Sequence, residues 1–212
     1  MERVKGYLRQ GMKTVISIAP SYLGVLEYKN PGQVVDALLK LGFFEVRETA
    51  EGAALVTREY QKLLEEGAMK NLITTCCPSV NDLIEKYYPS LTKYMTPVVS
   101  PMIAHGRLIK KIYGEDVKVV FLGPCIAKKE EAVGDDRVFG AVDAILTFEE
   151  LGGWLKAEGI AISECEEKPF GNPDPRINRI YPVGGGIVKS VMEQDSMKDA
   201  YHKLYVDGLD AC

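Results

Sequence analysis

The sequence lacks both an excess of positive charge and any long apolar segment. Its 26 lysines and arginines are outnumbered by 30 aspartates and glutamates, which gives a net charge of −4. Binding to a nucleic-acid backbone requires a basic surface, so nucleic acid is not an expected partner. The longest apolar stretches are interrupted by Pro20 and Lys118. They fall short of the roughly 20 residues that span a bilayer, and we expect no membrane-embedded segment.

Cysteine is also sparse, and no export signal is visible. The N-terminus is charged and lacks the apolar segment and small-residue cleavage site of a signal peptide. The five cysteines are Cys76, Cys77, Cys125, Cys165 and Cys212. An odd number with two adjacent thiols does not suit a disulfide framework, so we expect a reducing, cytoplasmic environment. Because no two cysteines have C-x-x-C spacing, an iron–sulfur cluster is favoured over structural zinc.

The sequence does contain an alternation of short β-rich runs and helical patterns, which predicts an α/β fold with a mostly parallel sheet. Strands are predicted at 13–18, 43–47, 71–75, 117–122, 141–146 and 179–183, with a strand or helix end at 200–206. Helices are predicted at 32–41, 52–66, 81–87, 103–113, 148–157 and 187–193. Ligands of open α/β sheets bind at the carboxyl ends of strands. The pattern places both cysteine motifs and a glycine triplet at that edge.

The first motif is Thr-Thr-Cys-Cys-Pro at 74–78. Its two thiols have two possible roles. Free cysteines are most often small buried hydrophobic groups. A cysteine at the N-terminus of a helix, however, has its thiolate stabilised by the helix dipole, which favours metal ligation or reactivity.

The second motif is Gly-Pro-Cys-Ile-Ala-Lys-Lys-Glu-Glu at 123–131. Its charged run is explained most simply as a solvated helix start. Alternatively, Lys128 lies three residues after Cys125 and can direct a charge-assisted donor into the same pocket, towards an anionic ligand of a metal.

Other polar features carry weaker signals. The glycine triplet at 184–186 is typical of a tight strand-to-helix turn and lacks the pattern of a dinucleotide or phosphate loop. An enzyme using it as an anion site is an alternative with only that motif behind it. His105 and His202 are isolated from the cysteines, so neither is expected to bind a metal.

Several segments together resemble the catalytic domain of iron-only ([FeFe]) hydrogenases, in order and in spacing. They are Ile-Ala-Pro-Ser at 18–21, Leu-Gly-Phe-Phe-Glu-Val at 41–46, Thr-Thr-Cys-Cys-Pro at 74–78, Glu-Lys-Tyr-Tyr-Pro at 85–89, Ser-Pro at 100–101 and Pro-Cys-x-x-Lys-Lys-x-Glu at 124–131. The resemblance runs from about residue 15 to residue 191. It implies two α/β lobes of mostly parallel sheet flanked by helices, intertwined within a single domain at 1–212.

The resemblance also implies a set of site residues. Cys77 and Cys125 match ligands of the [4Fe-4S] cubane of the hydrogen-forming H-cluster. Cys76 matches the free thiol that passes protons to the di-iron subcluster, and Lys128 matches the lysine that hydrogen-bonds a cyanide on it. In the family, the pocket of the di-iron subcluster is lined by residues that match Ser100, Pro101 and Pro124. The family's proton path contains positions that match Glu59 and Thr96.

The sequence departs from the family at several of these positions. Gly123 replaces the methionine of active enzymes, and Ser79-Val80 replaces a Gly-Trp pair. Val56 stands where the outer glutamate of the proton path is expected. The third cysteine motif, which supplies the other two cubane ligands, does not occur before Cys212, and Cys165 does not lie in such a motif.

These observations lead to two hypotheses of different classes. The first is a fragment of a divergent, sensor-like iron hydrogenase, incomplete at its C-terminus and inactive by itself. Its complete parent would be a ferredoxin-type hydrogenase receiving electrons from a ferredoxin or an iron–sulfur domain, with a signalling module attached. The second is a non-catalytic iron–sulfur redox sensor or assembly module on the same scaffold, which the departures at Gly123, Val80 and Val56 favour.

Overall fold

The fold is built around one four-stranded parallel sheet. A computed structural model describes residues 1–67, 69–134, 136, 138–193 and 202–206. The strands are β1 (Thr14–Ile18), β2 (Glu45–Glu48), β3 (Lys118–Gly123) and β4 (Ala144–Thr147). They are ordered β2-β1-β3-β4, and every neighbouring pair is parallel. The α/β class and the parallel sheet are therefore confirmed, while the division into two lobes stays a prediction.

Helices cover both faces of this sheet. The helices are α1 (Glu2–Arg9), α2 (Tyr22–Val25), α3 (Gly32–Lys40), α4 (Ala50–Glu66), α5 (Pro78–Tyr87), α6 (Pro101–Tyr113), α7 (Ala127–Gly134), α8 (Phe148–Ala157) and α9 (Gly186–Val191). Short 3-10 turns occupy Pro89–Tyr94, Ile162–Glu164 and Arg176–Ile180. None of the described helices is long and apolar enough to cross a bilayer.

Alternation along the strands divides the core into two layers. Ile16 and Val120 point to one face and pack with residues of α3 and α8. Val15 and Val119 point to the other face and pack with residues of α6. Both faces of β1 are buried, as is usual for a parallel sheet with helices on either side.

Helices α4 and α6 pack closely, and a third apolar cluster joins them to α9. The closest approach is at Gly52, where a Cβ atom would lie 2.4 Å from the carbonyl oxygen of Pro101. Only glycine allows the two backbones to approach so closely. This packing fixes α4 beside the loop that follows it, which carries the first cysteine motif.

Two predicted strands are wrong. Residues 71–75 do not join the sheet, and only Ile73 makes an isolated bridge, to Met95. The segment lies beside another loop instead of a free strand edge, so no ladder can extend. Residues 179–183 begin inside the 3-10 turn at Arg176–Ile180, and Pro182 lacks the N–H that a strand would use.

The predicted C-terminal element at 200–206 is not found in the part the structure describes. Residues 202–206 have no regular secondary structure. Residues 200 and 201 lie outside the described residues, as does Cys212.

Candidate metal and proton-transfer site

Both cysteine motifs lie at the N-terminal ends of helices that pack against each other. Cys77 is the N-cap residue of α5, and its N–H donates to Thr75 Oγ1 at 3.1 Å. Cys125 lies between the end of β3 and the start of α7, and α5 contacts α7. The expected helix N-terminus at Cys77 is therefore confirmed. The expected strand tip before it is wrong, because 71–75 is an extended loop.

The position of Cys125 follows from the strand order. In the order β2-β1-β3-β4 the chain moves to one side of β1 and then to the other, so the topological switch lies between β1 and β3. Crevices at the carboxyl ends of strands on either side of such a switch are the usual ligand sites of α/β sheets. Gly123 ends β3 at that edge, and Pro124 and Cys125 continue directly from it.

Lys128 joins the two motifs directly. Its Nζ donates to the backbone oxygen of Cys76 at 2.8 Å across 52 residues of sequence, and it forms a 2.5 Å ion pair with Glu131. The Lys128 side chain is only 11% exposed, and Glu131 is similarly protected. An ammonium group held this way is largely buried between the two motifs, so Lys128 is not part of a solvated helix start, which was the simpler alternative.

The electrostatics around Cys76 favour a protonated thiol. Burial raises the pKa of Cys76, whereas the charge of Lys128 opposes this effect and Cys77 adds to it. Two largely buried phenols are near enough to feel a thiolate at Cys76. Burial raises the pKa of Tyr60 to about 12 and also raises the pKa of Tyr181.

The two predicted proton-path residues, Glu59 and Thr96, differ in exposure. Glu59 is exposed on α4, whereas Tyr60, the next residue along the helix, is buried. Thr96 is half-buried; its hydroxyl donates to the oxygen of Ile73 at 3.4 Å, and its hydrogen bond with Tyr60 lowers the pKa of that phenol. The structure thus brings Thr96 to the pocket side and leaves Glu59 facing outwards.

Ser100, Pro101 and Pro124 have clear local roles. Ser100 is the N-cap of α6, where its Oγ accepts from the N–H of Ile103, and Pro101 is the first residue of that helix. Both are buried, while Pro124 is exposed at the end of β3. Their expected contact with a di-iron group stays a prediction.

The residues present fit part of an iron–sulfur ligand set. Cys77 and Cys125 place two free cysteines at neighbouring helix N-termini, and cysteine sulfur is a soft ligand suited to iron. Among the described residues, no three His, Cys, Asp or Glu side chains are grouped to hold a metal ion by themselves. Cys165 is buried elsewhere, with Lys40 Nζ 3.6 Å from its Sγ. Cys77 and Cys125 are therefore candidates for two positions of a cubane, and their assignment as its ligands stays a prediction.

The alternative polar features do not form a competing site. His105 is fully buried and hydrogen-bonded within the fold, as expected for a non-ligand. Gly185 adopts a left-handed φ of 72°, and a Cβ at Gly186 would lie 1.9 Å from the oxygen of Ile180. Two glycines of the triplet, Gly185 and Gly186, are therefore required by a tight turn. A cavity of about 650 Å³ lies beside Tyr22 and Arg179, but Arg179 is already paired with a buried carboxylate.

Comparison with known proteins decides the family. The family model described as "Iron only hydrogenase large subunit, C-terminal domain" matches residues 12–209. The chain belongs to this family. It is 30% identical over 184 residues to the periplasmic [Fe] hydrogenase large subunit of Nitratidesulfovibrio vulgaris, covering 76% of this chain and 43% of that protein.

Two other proteins also match this hydrogenase-family chain. It is 30% identical over 231 residues to iron hydrogenase 1 of Clostridium pasteurianum, covering 94% of this chain and 39% of that protein. It is 26% identical over 136 residues to the cytosolic Fe-S cluster assembly factor NAR1 of Phaeosphaeria nodorum, covering 50% and 21% respectively. The chain thus spans about two fifths of the two hydrogenases' length.

A solved structure of a variant of the [FeFe]-hydrogenase HydA1 from Chlamydomonas reinhardtii superposes with a TM-score of 0.69. The identity is 25%, and the match covers 81% of this chain and 50% of that one. The expected hydrogenase-like fold is confirmed.

Sequence reasoning missed three groups around the pocket. Tyr60 and Tyr181 come from distant parts of the chain and meet only in the folded protein. Asn81, on α5, shares a helix face with Cys77, and the spacing of four residues was the available signal.

Proposed function

We propose that this chain is the cluster-binding part of an [FeFe]-hydrogenase-type catalytic domain, which interconverts hydrogen with protons and electrons. In the complete protein the bound H-cluster supplies the redox chemistry. Cys77 and Cys125 would each bind one iron of its [4Fe-4S] part. The observation that carries this proposal is the hydrogen bond from Lys128 Nζ to the oxygen of Cys76, since it holds the two cysteine motifs at one pocket.

Two groups of the chain are suited to proton handling in that pocket. The half-buried Cys76 thiol holds its proton, because burial raises its pKa. The Lys128 ammonium group can donate an N–H hydrogen bond to an anionic ligand such as cyanide once it turns from Glu131. Thr96 would relay protons towards Cys76, and Glu59 would collect them from solvent after a change of rotamer. Ser100, Pro101 and Pro124 would border the di-iron group.

The expected partners belong to the same proposal. A ferredoxin or an attached iron–sulfur domain would exchange electrons with the cluster, and a signalling module would serve a sensor-like parent. We propose the cytoplasm as the compartment, on the basis of the free thiols. The two-lobed domain would be completed by residues that supply the other two cubane ligands.

Anaerobic reconstitution tests the ligand assignment. The chain is incubated with ferrous iron, sulfide and 2-mercaptoethanol, which supplies external thiolates, and bound iron and sulfide are measured after gel filtration. Cys77→Ala and Cys125→Ala should each reduce bound iron at least fivefold, because each removes half of the protein's ligands. Cys165→Ala is the matched control and should bind as the wild type does. Equal iron in all four proteins would contradict the proposal.

A second candidate is the non-catalytic redox sensor or assembly module. Gly123 is the observation that favours it: a Cβ there would lie 2.7 Å from Phe121 Cε1, so the ring of Phe121 occupies space that the family's methionine would need. The similarity to an Fe-S cluster assembly factor also supports it. Infrared spectra of the matured parent distinguish the two: bands of iron-bound carbon monoxide and cyanide support the hydrogenase, and a four-iron cluster without them supports the module.

A further inference from the structure

One polar side chain on the inward face of α5 has no hydrogen-bond partner among the described residues. Cys77, Asn81 and Ile84 follow a spacing of four and three residues, which places them on one side of the helix. Ile84 is buried, whereas Asp82 and Glu85 on the other side are exposed. Asn81 therefore lies between the proposed cluster ligand and the core.

The amide oxygen of Asn81 is buried without a hydrogen-bond partner in the part of the chain that the structure describes. A buried polar atom left unpaired costs about 1–3 kcal/mol, so native proteins rarely keep one without a reason. A leucine, which has the same branched arrangement of side-chain heavy atoms, would avoid this cost at the same position. The amide is thus poorly explained by packing of the chain alone.

The geometry of a helix directs this amide towards the cysteine. Cα–Cβ bonds tilt towards the helix N-terminus, so the Asn81 side chain leans over the turn that begins at Cys77. The backbone N–H of Asn81 donates to the oxygen of Cys77 at 3.1 Å, which confirms that the two residues are one turn apart. Side chains at this spacing have Cβ atoms about 5–6 Å apart.

We propose that the Asn81 amide donates an N–H hydrogen bond to a sulfur atom of the iron–sulfur cluster bound by Cys77, and thereby raises its reduction potential. This inference rests on the proposed function. Rotation of the amide by 180° about its last side-chain bond exchanges oxygen for nitrogen within the same space. Thiolate and sulfide sulfurs are acceptors, and such bonds stabilise the more negative, reduced cluster.

Reduction potentials test the inference with a readout other than hydrogen production. The chain and its variants are reconstituted with ferrous iron, sulfide and 2-mercaptoethanol, and the cluster is titrated with dithionite under optical and paramagnetic-resonance detection. In Asn81→Leu we expect the one-electron reduction constant to fall about tenfold, a shift of about 59 mV to lower potential. The reduction potential of the Asn81→Asp variant should fall at least as far, because this substitution removes the donor and adds negative charge.

Two further variants separate the hydrogen bond from general effects. Asn81→Gln keeps an N–H donor and should restore a potential closer to the wild type than Asn81→Leu does. Asn71→Leu makes the same substitution at an exposed position outside α5 and should leave the potential unchanged. Without iron, Asn81→Leu should unfold in urea at the same or a higher midpoint than the wild type, because it removes an unpaired buried oxygen.

The outcomes distinguish this inference from the proposed function. If the wild type binds iron and sulfide but Asn81→Leu changes the reduction constant less than twofold, the Asn81 inference is overturned and the cluster assignment stands. A clear loss of stability in iron-free Asn81→Leu would also overturn it, since it would reveal a structural partner. If the wild type binds no iron, both proposals fail together.

Discussion

Two polar regions of the molecule contrast in how completely their groups are paired. The first is the His105 network, which comprises Ser17, Arg47, Thr49, Glu51 and His105. The second is the cysteine pocket, which comprises Cys76, Cys77, Asn81, Cys125 and Lys128. Both regions join parts of the chain that are distant in sequence, and both contain titratable groups with shifted pKa values.

Every side chain of the His105 network has a partner. His105 Nδ1 lies 2.7 Å from Ser17 Oγ, which lies 2.7 Å from Thr49 Oγ1, and His105 Nε2 lies 3.1 Å from Glu51. Arg47 donates to both oxygens of Glu51 and to the oxygen of Gly171. The serine, histidine and carboxylate are connected as in a nucleophilic triad, but Ser17 is 1% exposed and His105 is completely buried. No substrate can reach them.

The cysteine pocket is paired incompletely. Its thiols are half-buried, the Sγ atoms of Cys77 and Cys125 make no hydrogen bond in the described structure, and Asn81 keeps an unpaired buried oxygen. The contrast shows how position separates structure from function. Groups that satisfy one another hold the fold, and groups left unpaired beside a helix N-terminus are available to a ligand. Substitutions in each region can break or sharpen this comparison.

The largest expected effect is in the His105 network. Arg47→Met leaves the partly buried carboxylate of Glu51 without its main cation and should lower the free energy of unfolding by about 3–5 kcal/mol. Urea denaturation measures the loss. Arg47→Lys keeps the charge but not the bidentate contact with Glu51, and it should lose less stability than Arg47→Met. Arg58→Met, at an exposed position of α4, is the control and should change stability by no more than about 0.5 kcal/mol. Equal effects at positions 47 and 58 would contradict the structural role.

A smaller effect is expected in the wall of the cysteine pocket. Gly123→Ala should cost about 1–3 kcal/mol, because the new methyl group would lie 2.7 Å from the Phe121 ring. In a Phe121→Leu background the same change should cost less than half as much, and a double-mutant cycle in urea measures the coupling. Gly152→Ala, where nothing lies within 4 Å, should stabilise α8 by about 0.5–1 kcal/mol. Additive costs at 121 and 123 would show that the two positions do not compete for space.

The smallest effect concerns pH. Burial lowers the pKa of His105, with Glu51 opposing and Arg47 reinforcing the effect, so the native protein holds this histidine neutral. The contribution of neutral His105 to the free energy of unfolding is complete at pH values above its unfolded-state pKa of about 6.5. As pH falls below that value the unfolded chain binds a proton that the native chain does not, and stability decreases. Between pH 7.5 and 5.5 the wild type should lose about 1 kcal/mol more than His105→Gln.

Urea midpoints at the two pH values provide the measurement, with exposed His202 as the matched position. His202→Gln should keep the wild-type dependence on pH. The pKa of Glu51 is also lowered: burial by itself would raise it, but hydrogen bonds from His105 and Arg47 outweigh burial. Its contribution is lost only below its ordinary value of about 4.5, outside the tested range. An unchanged dependence in His105→Gln would contradict a neutral buried histidine.

Much of the sheet could be predicted from local pattern. The strands β1, β2, β3 and β4 were predicted within a few residues, because β1, β3 and β4 are short apolar runs and β2 directly follows the apolar pair Phe43 and Phe44. Helix α8 was also predicted together with its Thr147 cap, which forms a capping box with Glu150. The two failures, at 71–75 and 179–183, have strand-like composition without a neighbouring strand to pair with. Pairing is a long-range property that composition does not report.

The candidate site divides in the same way. The two cysteine motifs, the lysine after the second and the family resemblance were all readable in the residues. Three features were not readable in the sequence: the hydrogen bond from Lys128 to the Cys76 backbone, the outward position of Glu59 and the unpaired amide oxygen of Asn81. Residue type and spacing determined which groups can bind iron or carry a proton. Only the packing of α5 against α7 and of α4 against α6 decided which of them are desolvated and which are paired, because burial and hydrogen bonding depend on neighbours that are far apart in the chain.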